Sequence, residues 1–285
     1  MTDHTLTHTG NTRLAGVIGW PVSHSLSPRI HGFWLRELGI DGAYVPFPVK
    51  PEAVEEAITG LAALGLAGAN VTVPHKEAVI PIMDDLDRTA RRLGAVNTIV
   101  VGDDGRLVGH NSDGYGFLEN LKTNAPDWSA DLGPAVVLGA GGAARAIVGA
   151  LIDAGVPEIR LMNRTRSRAE SIAEDFGEPV IKVGDWNTLP AYLGDAAVLV
   201  NTTSLGMKGQ PPLAIDLAQL PPDAVVNDIV YAPLATDLLK TARERGNIVV
   251  DGLGMLLHQA RFGFTAWFGG EPVVTEALRR FVLER

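Results

Sequence analysis

The chain contains no cysteine, which excludes disulfide bonds and thiolate chemistry. Because this fits a reducing compartment, we expect a cytoplasmic protein. No apolar run approaches the roughly 18 residues that a membrane-spanning helix needs. Residues 1–12 are polar and lack the basic and apolar regions of a signal peptide, and we interpret them as a terminal tail. These absences favour a globular protein that does not associate with a membrane.

Basic charge is also scarce, since 24 Lys and Arg against 33 Asp and Glu give a formal net charge of −9. Binding to nucleic acid needs clustered cations that neutralise phosphates, so this balance argues against it. The length of 285 residues is sufficient for two compact domains. If an acidic chain binds an anionic cofactor, it needs several arginines close together at that site. A cluster of arginines in the sequence would therefore indicate where the cofactor binds.

A short apolar run in the middle of the chain, Val136–Leu138, ends in a glycine-rich turn. The turn has the pattern Gly-x-Gly-x-x-Ala over Gly139–Ala144, and a helix is expected directly after it. Such a turn lets a pyrophosphate approach the backbone and meet the N–H groups at the start of the helix. The pattern predicts a dinucleotide site, against the alternative of a turn needed only for packing. Its residues are Gly139, Ala140, Gly141, Gly142 and Ala143.

The segment about 20 residues after this turn indicates which dinucleotide to expect. An NAD enzyme carries a carboxylate there for the ribose 2′-hydroxyl, whereas this chain has Asn163-Arg164-Thr165-Arg166-Ser167-Arg168. Arginine can hold a 2′-phosphate through paired hydrogen bonds and stack on adenine. The sequence therefore favours NADP, and incidental arginines on a solvated helix are the alternative.

Strands and helices alternate along both halves of the chain. The first half predicts strands at 14–19, 43–47 and 68–73 with helices between them, and then a hairpin over 96–111. This order is typical of a mixed α/β sheet. The second half predicts six strands alternating with helices, as in a doubly wound parallel sheet of the Rossmann type.

Two domains are therefore predicted. Residues 1–113 would form a substrate-binding catalytic domain, and residues 114–252 a dinucleotide-binding domain. Two final helices, at 254–264 and 272–283, have no strand after them. We expect residues 253–285 to pack back on the first domain.

Ser25 and Ser27 stand in a polar loop after the first strand. Two apart in an extended stretch, their hydroxyls would point the same way and could hold a carboxylate or a hydroxyl. The alternative is that Ser27 only caps the helix beginning at Pro28.

A second polar segment, Asn70–Lys76, follows the third strand. Alternation puts Asn70 and Thr72 on one face, and Lys76 stands at the carboxyl end of the strand, where ligands of α/β proteins bind. A lysine there could donate a proton to a carbonyl oxygen during reduction. A surface lysine at a helix start is the alternative.

Further polar residues stand where segments meet. Asn97 lies in the polar segment Gly94–Thr98, and Asp113 precedes the connecting helix. Asp113 could cap that helix, a role that does not exclude catalysis.

In the second half, Thr203 and Ser204 follow an apolar strand and should lie near the cofactor. For polar contacts, Tyr231 and Gln259 are better candidates than the apolar residues near them, such as Met255. Met255 could instead belong to a helix core.

Taken together and in this order, these segments resemble the shikimate dehydrogenase family from about Leu14 to the C-terminus. Gly32 stands where an asparagine is expected after His31, and Ser112 replaces a threonine while keeping the hydroxyl. No single motif is diagnostic, but the ordered set is very specific. The matching motifs are Ser23–Pro28, Asn70–Lys76, Gly94–Thr98, Asn111–Gly114, Gly139–Ala143, Asn163–Thr165, Asn201–Met207 and Met255–Gln259.

The resemblance implies roles for the matching residues. Lys76 and Asp113 would form the catalytic pair, with Lys76 as the general acid and Asp113 as its positioning partner. The contacts to shikimate would come from Ser25, Ser27, Thr72, Asn97, Tyr231 and Gln259. Beside the glycine turn, the NADP contacts would come from Asn163, Arg164, Thr165, Arg168, Thr203, Ser204, Gly252 and Met255.

The implied reaction is the reversible NADPH-dependent reduction of 3-dehydroshikimate to shikimate, in the biosynthesis of aromatic amino acids. No metal is expected, and a homodimer is left open. Two alternatives also stay open at this point. One is a quinate/shikimate dehydrogenase that prefers NAD, and the other is a homologue that binds ligand as a sensor without turnover. The presence of both Lys76 and Asp113 speaks against the sensor.

Overall fold

The computed structural model describes residues 8–284, in which the chain divides into two compact units. One unit runs up to Ser112 and resumes at Leu257, and the other is Asp113–Leu256. Residues 1–7 of the predicted tail lie outside the described residues. The rest of that tail is attached to the first unit, because the hydroxyls of Thr9 and Thr12 each donate to the carboxylate of Asp41 at 2.6 Å.

The first unit is built on one mixed sheet. Its strands are β1 (Arg13–Gly19), β2 (Gly42–Pro48), β3 (Gly68–Val71), β4 (Asp85–Leu86), β5 (Thr98–Val101) and β6 (Leu107–His110). They lie in the order β2-β1-β3-β5-β6-β4. β1 is parallel to β2 and β3, whereas β5 is antiparallel to β3 and β6. The predicted mixed sheet and hairpin are confirmed.

Three helices accompany this sheet, namely α1 (Ser27–Glu37), α2 (Val54–Ala63) and α3 (Arg88–Leu93). A 3₁₀ turn at Pro51–Ala53 precedes α2, so the helix predicted between the second and third strands begins with a 3₁₀ turn. The sequence does not predict α3, which is too short to show a hydrophobic period. Helix α3 is stabilised by a cap at each end. The side chain of Asp87 accepts the N–H of Ala90 at the start, and Gly94 ends the helix with φ 60°.

The second unit contains a parallel sheet in the order β12-β11-β10-β7-β8-β9. Its strands are β7 (Ala135–Leu138), β8 (Ile159–Asn163), β9 (Ile181–Asp185), β10 (Val198–Asn201), β11 (Val225–Asp228) and β12 (Ile248–Val250). Numbered from β7, this is the order 3-2-1-4-5-6 of the doubly wound dinucleotide-binding fold, and the predicted Rossmann-type sheet is confirmed. The direction of winding changes beside β7, at whose carboxyl end the glycine turn begins.

The helices of the second unit are α4 (Asp113–Asn124), α5 (Gly142–Asp153), α6 (Arg166–Phe176) and α7 (Asp237–Glu244). The prediction that helices alternate with every strand is wrong at two connections. Only a 3₁₀ segment, Trp186–Tyr192, joins β9 to β10, and residues 202–224, all of them described, contain no helix between β10 and β11. Four prolines in that connection explain its irregular backbone, since proline removes a backbone donor and clashes with the preceding turn. They are Pro211, Pro212, Pro221 and Pro222.

Alternation along the strands of this sheet produces two cores. Ala135 and Val137 face one core with residues of α4, α5 and α6, whereas Val136 and Leu138 face the other with residues of α7. The irregular connection completes the second core with Leu213, Leu217 and Leu220.

Two C-terminal helices follow, α8 (Gly252–Phe268) and α9 (Glu276–Leu283). The indole N–H of Trp267 in α8 donates to Ile99 O in β5 at 3.0 Å, and the indole N–H of Trp34 in α1 donates to Val273 O at 2.9 Å. The predicted return of the C-terminal helices to the first unit is confirmed. Across residues 8–284, no helix combines the length and apolar character needed to cross a membrane.

Candidate active site

A connected group of polar side chains is buried where β3 and β5 pair. Asn70 and Thr98 are partners across these strands, and Asn70 Nδ2 donates to Thr98 Oγ1 at 3.0 Å and to Asn97 O at 3.1 Å. Thr98 Oγ1 in turn donates to Asn97 Oδ1 at 2.9 Å. Buried polar groups are stable only when hydrogen-bonded, so this pairing fixes the three side chains relative to one another.

Asn97 connects this group to helix α8. The backbone N–H of Ser112 donates to Asn97 Oδ1 at 3.0 Å, which leaves Asn97 Nδ2 to donate to Gln259 Oε1 at 3.1 Å. Ser112 Oγ donates to Gln259 O at 3.0 Å. The first unit therefore brings together Asn97 and Gln259, two predicted substrate contacts that are far apart in sequence.

The two predicted serines have a geometry different from the expected one. Leu26 between them has a helical conformation, with φ −85° and ψ −9°, so the stretch is not extended. The reason is a local turn in which Ser25 Oγ accepts the N–H of Ser27 at 3.3 Å. Within the described chain, α1 has Leu26 as its N-cap and no side-chain cap, so capping does not occupy the Ser27 hydroxyl.

Thr72 and Lys76 lie on a segment fixed by backbone contacts. The Thr72 N–H donates to Ile18 O at 2.9 Å, which continues the β1–β3 pairing one residue beyond the end of β3. A Cβ at Gly19 would lie 2.5 Å from Thr72 Cγ2, so glycine is needed for this close approach. The Lys76 carbonyl accepts the N–H of Val96 at 2.8 Å, and the lysine is half-buried. Lys76 is thus held beside the segment that carries Asn97.

Asp113 and Tyr231 belong to the second unit. Asp113 is the first residue of α4 and is 8% exposed. A carboxylate in the first turn interacts favourably with the helix dipole. Tyr231 is half-buried, and burial raises the pKa of its hydroxyl.

The glycine turn separates into a part needed by the fold and a part open to a ligand. Gly139 has φ +109°, and a Cβ there would lie 2.6 Å from Thr202 Oγ1, which donates to Leu138 O. By contrast, a Cβ at Gly141 or Gly142 would meet no described atom within 4 Å. This space at the start of α5 fits a pyrophosphate, whose oxygens could reach the N–H groups of the first turn. Ala140 and Ala143 are both half-buried in the same turn.

The arginine segment lies at the carboxyl end of β8. Asn163 ends the strand and donates from Nδ2 to Thr165 O at 2.8 Å, and Thr165 is the N-cap position of α6. Arg166 is paired with Glu170 one turn along α6, with Nε and Oε1 2.8 Å apart. Arg164 and Arg168 are exposed and have no carboxylate partner in the part of the chain that the structure describes. These two guanidinium groups fit a 2′-phosphate, whose charge they could pair.

Thr203 and Ser204 follow β10 in a loop that buried side chains of β10 and β11 hold in place. The Asn201 amide accepts the N–H and the hydroxyl of Thr203, at 3.0 and 2.7 Å, and donates to Asp228 Oδ1 at 2.9 Å. Burial raises the pKa of the Asp228 carboxyl, and hydrogen bonds from Thr236, Val230 and Asn201 oppose that rise. Asp228 therefore supports the loop from the interior, whereas Ser204 is exposed on it.

Gly252 and Met255, both predicted to contact the cofactor, have contacts that packing alone explains. A Cβ at Gly252 would lie 2.0 Å from Ile229 O, so no other residue fits there. Met255 is half-buried against the core that contains Val137. Their role toward the cofactor stays a prediction.

Two family models match the chain. The model described as the shikimate dehydrogenase substrate binding domain matches residues 17–99, and the one described as shikimate / quinate 5-dehydrogenase matches residues 125–208. A relative named shikimate dehydrogenase (NADP(+)), from Paramagnetospirillum magneticum, is 62% identical over 96% of this chain and 99% of its own length. The chain belongs to the shikimate dehydrogenase family. A second relative of the same name, from Rhodospirillum rubrum, is 62% identical over 96% of this chain and 98% of its own length.

Solved structures agree with the assignment to the shikimate dehydrogenase family. The shikimate 5-dehydrogenase of Thermus thermophilus, in complex with NADP(H) and shikimate, is 37% identical with a TM-score of 0.84, over 95% of this chain and 100% of that chain. The quinate dehydrogenase of Corynebacterium glutamicum, in complex with NAD, is 31% identical with a TM-score of 0.87, over 95% of this chain and 97% of that chain.

The sequence does not single out Tyr44 or assign a role to His31, although both adjoin the polar group of the first unit. The Tyr44 hydroxyl donates to Asn70 Oδ1 at 2.6 Å, and burial raises its pKa. Tyr44 on β2 pairs with Ala15, and Asn70 on β3 pairs with Val17, so the phenol reaches Asn70 across β1. This contact depends on the order of three strands, which no local pattern in the sequence reveals.

Proposed function

We propose that the chain catalyses the reversible reduction of 3-dehydroshikimate to shikimate with NADPH. The observation that carries this proposal is the buried polar group that joins Asn97 and Gln259 in the first unit. A polyhydroxylated ring acid needs several fixed donors and acceptors, and a site of this kind discriminates strongly because unpaired polar groups are costly. The relatives at 62% identity are named for this activity with NADP(+), which supports the same assignment.

Each of the two domains would bind one of the two reactants. Residues 1–113 with 253–285 would bind the substrate, through Ser25, Ser27, Thr72, Asn97 and Gln259, with Tyr231 contributed by the other domain. Residues 114–252 would bind the dinucleotide. A cytoplasmic location and a homodimer stay predictions from the sequence.

Lys76 and Asp113 are the catalytic residues of the proposal. As the ring ketone is reduced, negative charge develops on its oxygen, and Lys76 Nζ would donate the proton that this oxygen needs. The Asp113 carboxylate would accept a hydrogen bond from a substrate hydroxyl and so orient the ring. The fixed backbone of Lys76, bonded to Val96, supports this role because a proton donor must be held within hydrogen-bond reach.

NADPH, when bound, supplies the hydride for this reaction. The open space at Gly141 and Gly142 would hold its pyrophosphate, and Thr203 and Ser204 would lie along its path. Arg164 and Arg168 would pair with the 2′-phosphate, with Asn163 and Thr165 shaping that end of the site. The proposal of NADP over NAD rests on these two arginines, which have no acidic partner among the described residues.

Initial rates with shikimate and with quinate, each measured with NADP+ and with NAD+, test the proposal. We expect shikimate with NADP+ to give the highest kcat/KM of the four combinations. A preference for quinate with NAD+ would instead identify an NAD-preferring quinate/shikimate dehydrogenase. The absence of any absorbance change at the nicotinamide band, in a protein that binds shikimate, would identify a sensor and refute the enzymatic assignment.

A further inference from the structure

We propose that Tyr44 is a positioning residue of the substrate site, an inference that rests on the function proposed above. Its hydroxyl is the first donor of a hydrogen-bonded chain that runs through Asn70, Thr98 and Asn97 to Gln259. All five residues belong to the first unit. Tyr44 acts on the substrate through this chain and need not touch it.

Two backbone groups fix the direction of every bond in this chain. The carbonyl of Asn97 can only accept, so Asn70 must turn Nδ2 toward it and Oδ1 toward Tyr44. The Tyr44 hydroxyl is therefore a donor. The N–H of Ser112 can only donate, so Asn97 must turn Oδ1 toward it.

The hydrogen-bonded chain ends at Gln259, whose side chain it orients for substrate. Because Asn97 Oδ1 is held by Ser112, its Nδ2 donates to Gln259 Oε1 at 3.1 Å. This bond uses the oxygen of the Gln259 amide and presents Nε2 as a donor. Among residues 8–284, Gln259 Nε2 has no hydrogen-bond acceptor. The group that it would bind on the substrate must be an oxygen that accepts.

Tyr44 is itself held on its ring face. The imidazole of His31 stacks on the phenol, and the ring of Trp267 lies 5.9 Å away. If the hydroxyl were removed, the buried oxygen of Asn70 would lose its donor, and an unsatisfied buried acceptor is costly. We expect Asn70 to shift toward another donor, which would loosen Thr98 and Asn97 and so misplace Gln259.

The variant Tyr44→Phe tests the proposal, because it keeps the ring and its stack and removes only the hydroxyl. We expect the KM for shikimate to rise about three- to tenfold, with kcat and the KM for NADP+ changed by less than about twofold. Tyr192→Phe is the matched control, since Tyr192 is a half-buried tyrosine of the other unit, and it should leave all three constants unchanged. A Tyr44→Phe enzyme that loses thermal stability while keeping the wild-type KM for shikimate would overturn the proposal.

A second pair of variants breaks the chain one step further along. Thr98→Ala removes the hydrogen bond to the Asn97 side chain, whereas Thr98→Ser keeps the hydroxyl and should give a KM for shikimate close to the wild-type value. If the chain transmits the effect of Tyr44, the double variant Tyr44→Phe with Thr98→Ala should raise the KM no more than the larger single effect. Effects that multiply would show two independent contributions and contradict a chain.

The proposal can fail separately from the function on which it rests. A wild-type protein that turns over shikimate, with a Tyr44→Phe variant of unchanged KM, refutes the role of Tyr44 alone. A wild-type protein that neither turns over shikimate nor binds it in a calorimetric titration refutes the proposed function, and the role of Tyr44 in positioning this substrate falls with it.

Discussion

The imidazole of His31 lies flat on the phenol ring of Tyr44, with the ring centroids 3.9 Å apart and the planes at 4°. Trp34, Phe264 and Trp267 close the space around the same imidazole, with centroids 5.7 to 5.8 Å away. Neither ring nitrogen has a hydrogen-bond partner among the described atoms. Because burial disfavours the charged form, the pKa of His31 is lowered from 6.5 to about 3. The folded protein therefore holds His31 neutral.

This neutral histidine makes stability depend on pH in one direction. The unfolded chain takes up the His31 proton near pH 6.5, whereas the folded chain resists it down to about pH 3. The free energy of unfolding should therefore fall as the pH drops below 6.5, by up to about 1.4 kcal/mol per pH unit from this group. Urea unfolding followed by tryptophan fluorescence at pH 7, 6 and 5 measures the slope.

The variant His31→Phe should flatten this pH dependence, whatever its effect on stability at pH 7. His24→Gln is the control, since His24 is exposed and its loss should leave the wild-type slope. Equal slopes for wild type and His31→Phe would contradict the prediction.

Two glycines of the same turn should respond differently to alanine. Gly139→Ala should lower the free energy of unfolding by at least about 2 kcal/mol, because φ is +109° and Thr202 Oγ1 occupies the space of the new methyl. Gly141→Ala should leave stability within about 0.5 kcal/mol, since φ there is −105° and the space around it is open. The new methyl group in Gly141→Ala would occupy the space proposed for the pyrophosphate. Because NADP+ and NAD+ both carry a pyrophosphate, the KM for both should rise. Thermal melts and initial rates test both variants. A destabilised Gly141→Ala protein would argue against open space at this glycine.

The arginines should separate NADP from NAD. Arg164→Ala and Arg168→Ala should each raise the KM for NADP+ about tenfold, because each would remove a proposed charge-assisted contact to the 2′-phosphate. The KM for NAD+ should change little. Arg166→Ala is the control, since Arg166 already pairs with Glu170 on the exposed face of α6. Equal effects on both cofactors would place the two arginines elsewhere than at the 2′-phosphate.

Lys76 should control the chemical step. Lys76→Ala should lower kcat by roughly 10²-fold or more, the scale of a lost general acid, with a smaller effect on the KM for NADP+. Lys122→Ala offers a comparison, because that lysine is exposed on α4 and paired with Glu119 at 3.1 Å. Steady-state rates decide the matter, and a Lys76→Ala enzyme with wild-type turnover would remove this residue from catalysis.

The parts of the fold that the sequence predicts are those with a local signature. Continuous apolar runs identify buried strands such as β1 and β7, and the glycine turn after β7 identifies the dinucleotide-binding sheet. The residues of the candidate site, such as Asn97 and Gln259, are predicted through ordered motifs. Their mutual contact is a tertiary fact that the motifs alone do not contain.

The parts that the sequence does not predict depend on length or on distant partners. Helix α3 and strand β4 are too short to show a period. The connection 202–224 replaces a helix by irregular chain, because leucines at the right positions cover the sheet without one. Tyr44 looks like an ordinary strand residue until β1 is known to lie between β2 and β3.

The first unit takes its residues from both ends of the described chain, and this affects the order in which the protein can be built. A ribosome releases the whole of the second unit once Leu256 has emerged. At that moment β5 still lacks the indole that bonds to Ile99, and Asn97 still lacks Gln259. The proposed substrate site is thus incomplete until α8 and α9 have been translated, whereas every residue of the dinucleotide-binding sheet has emerged before then.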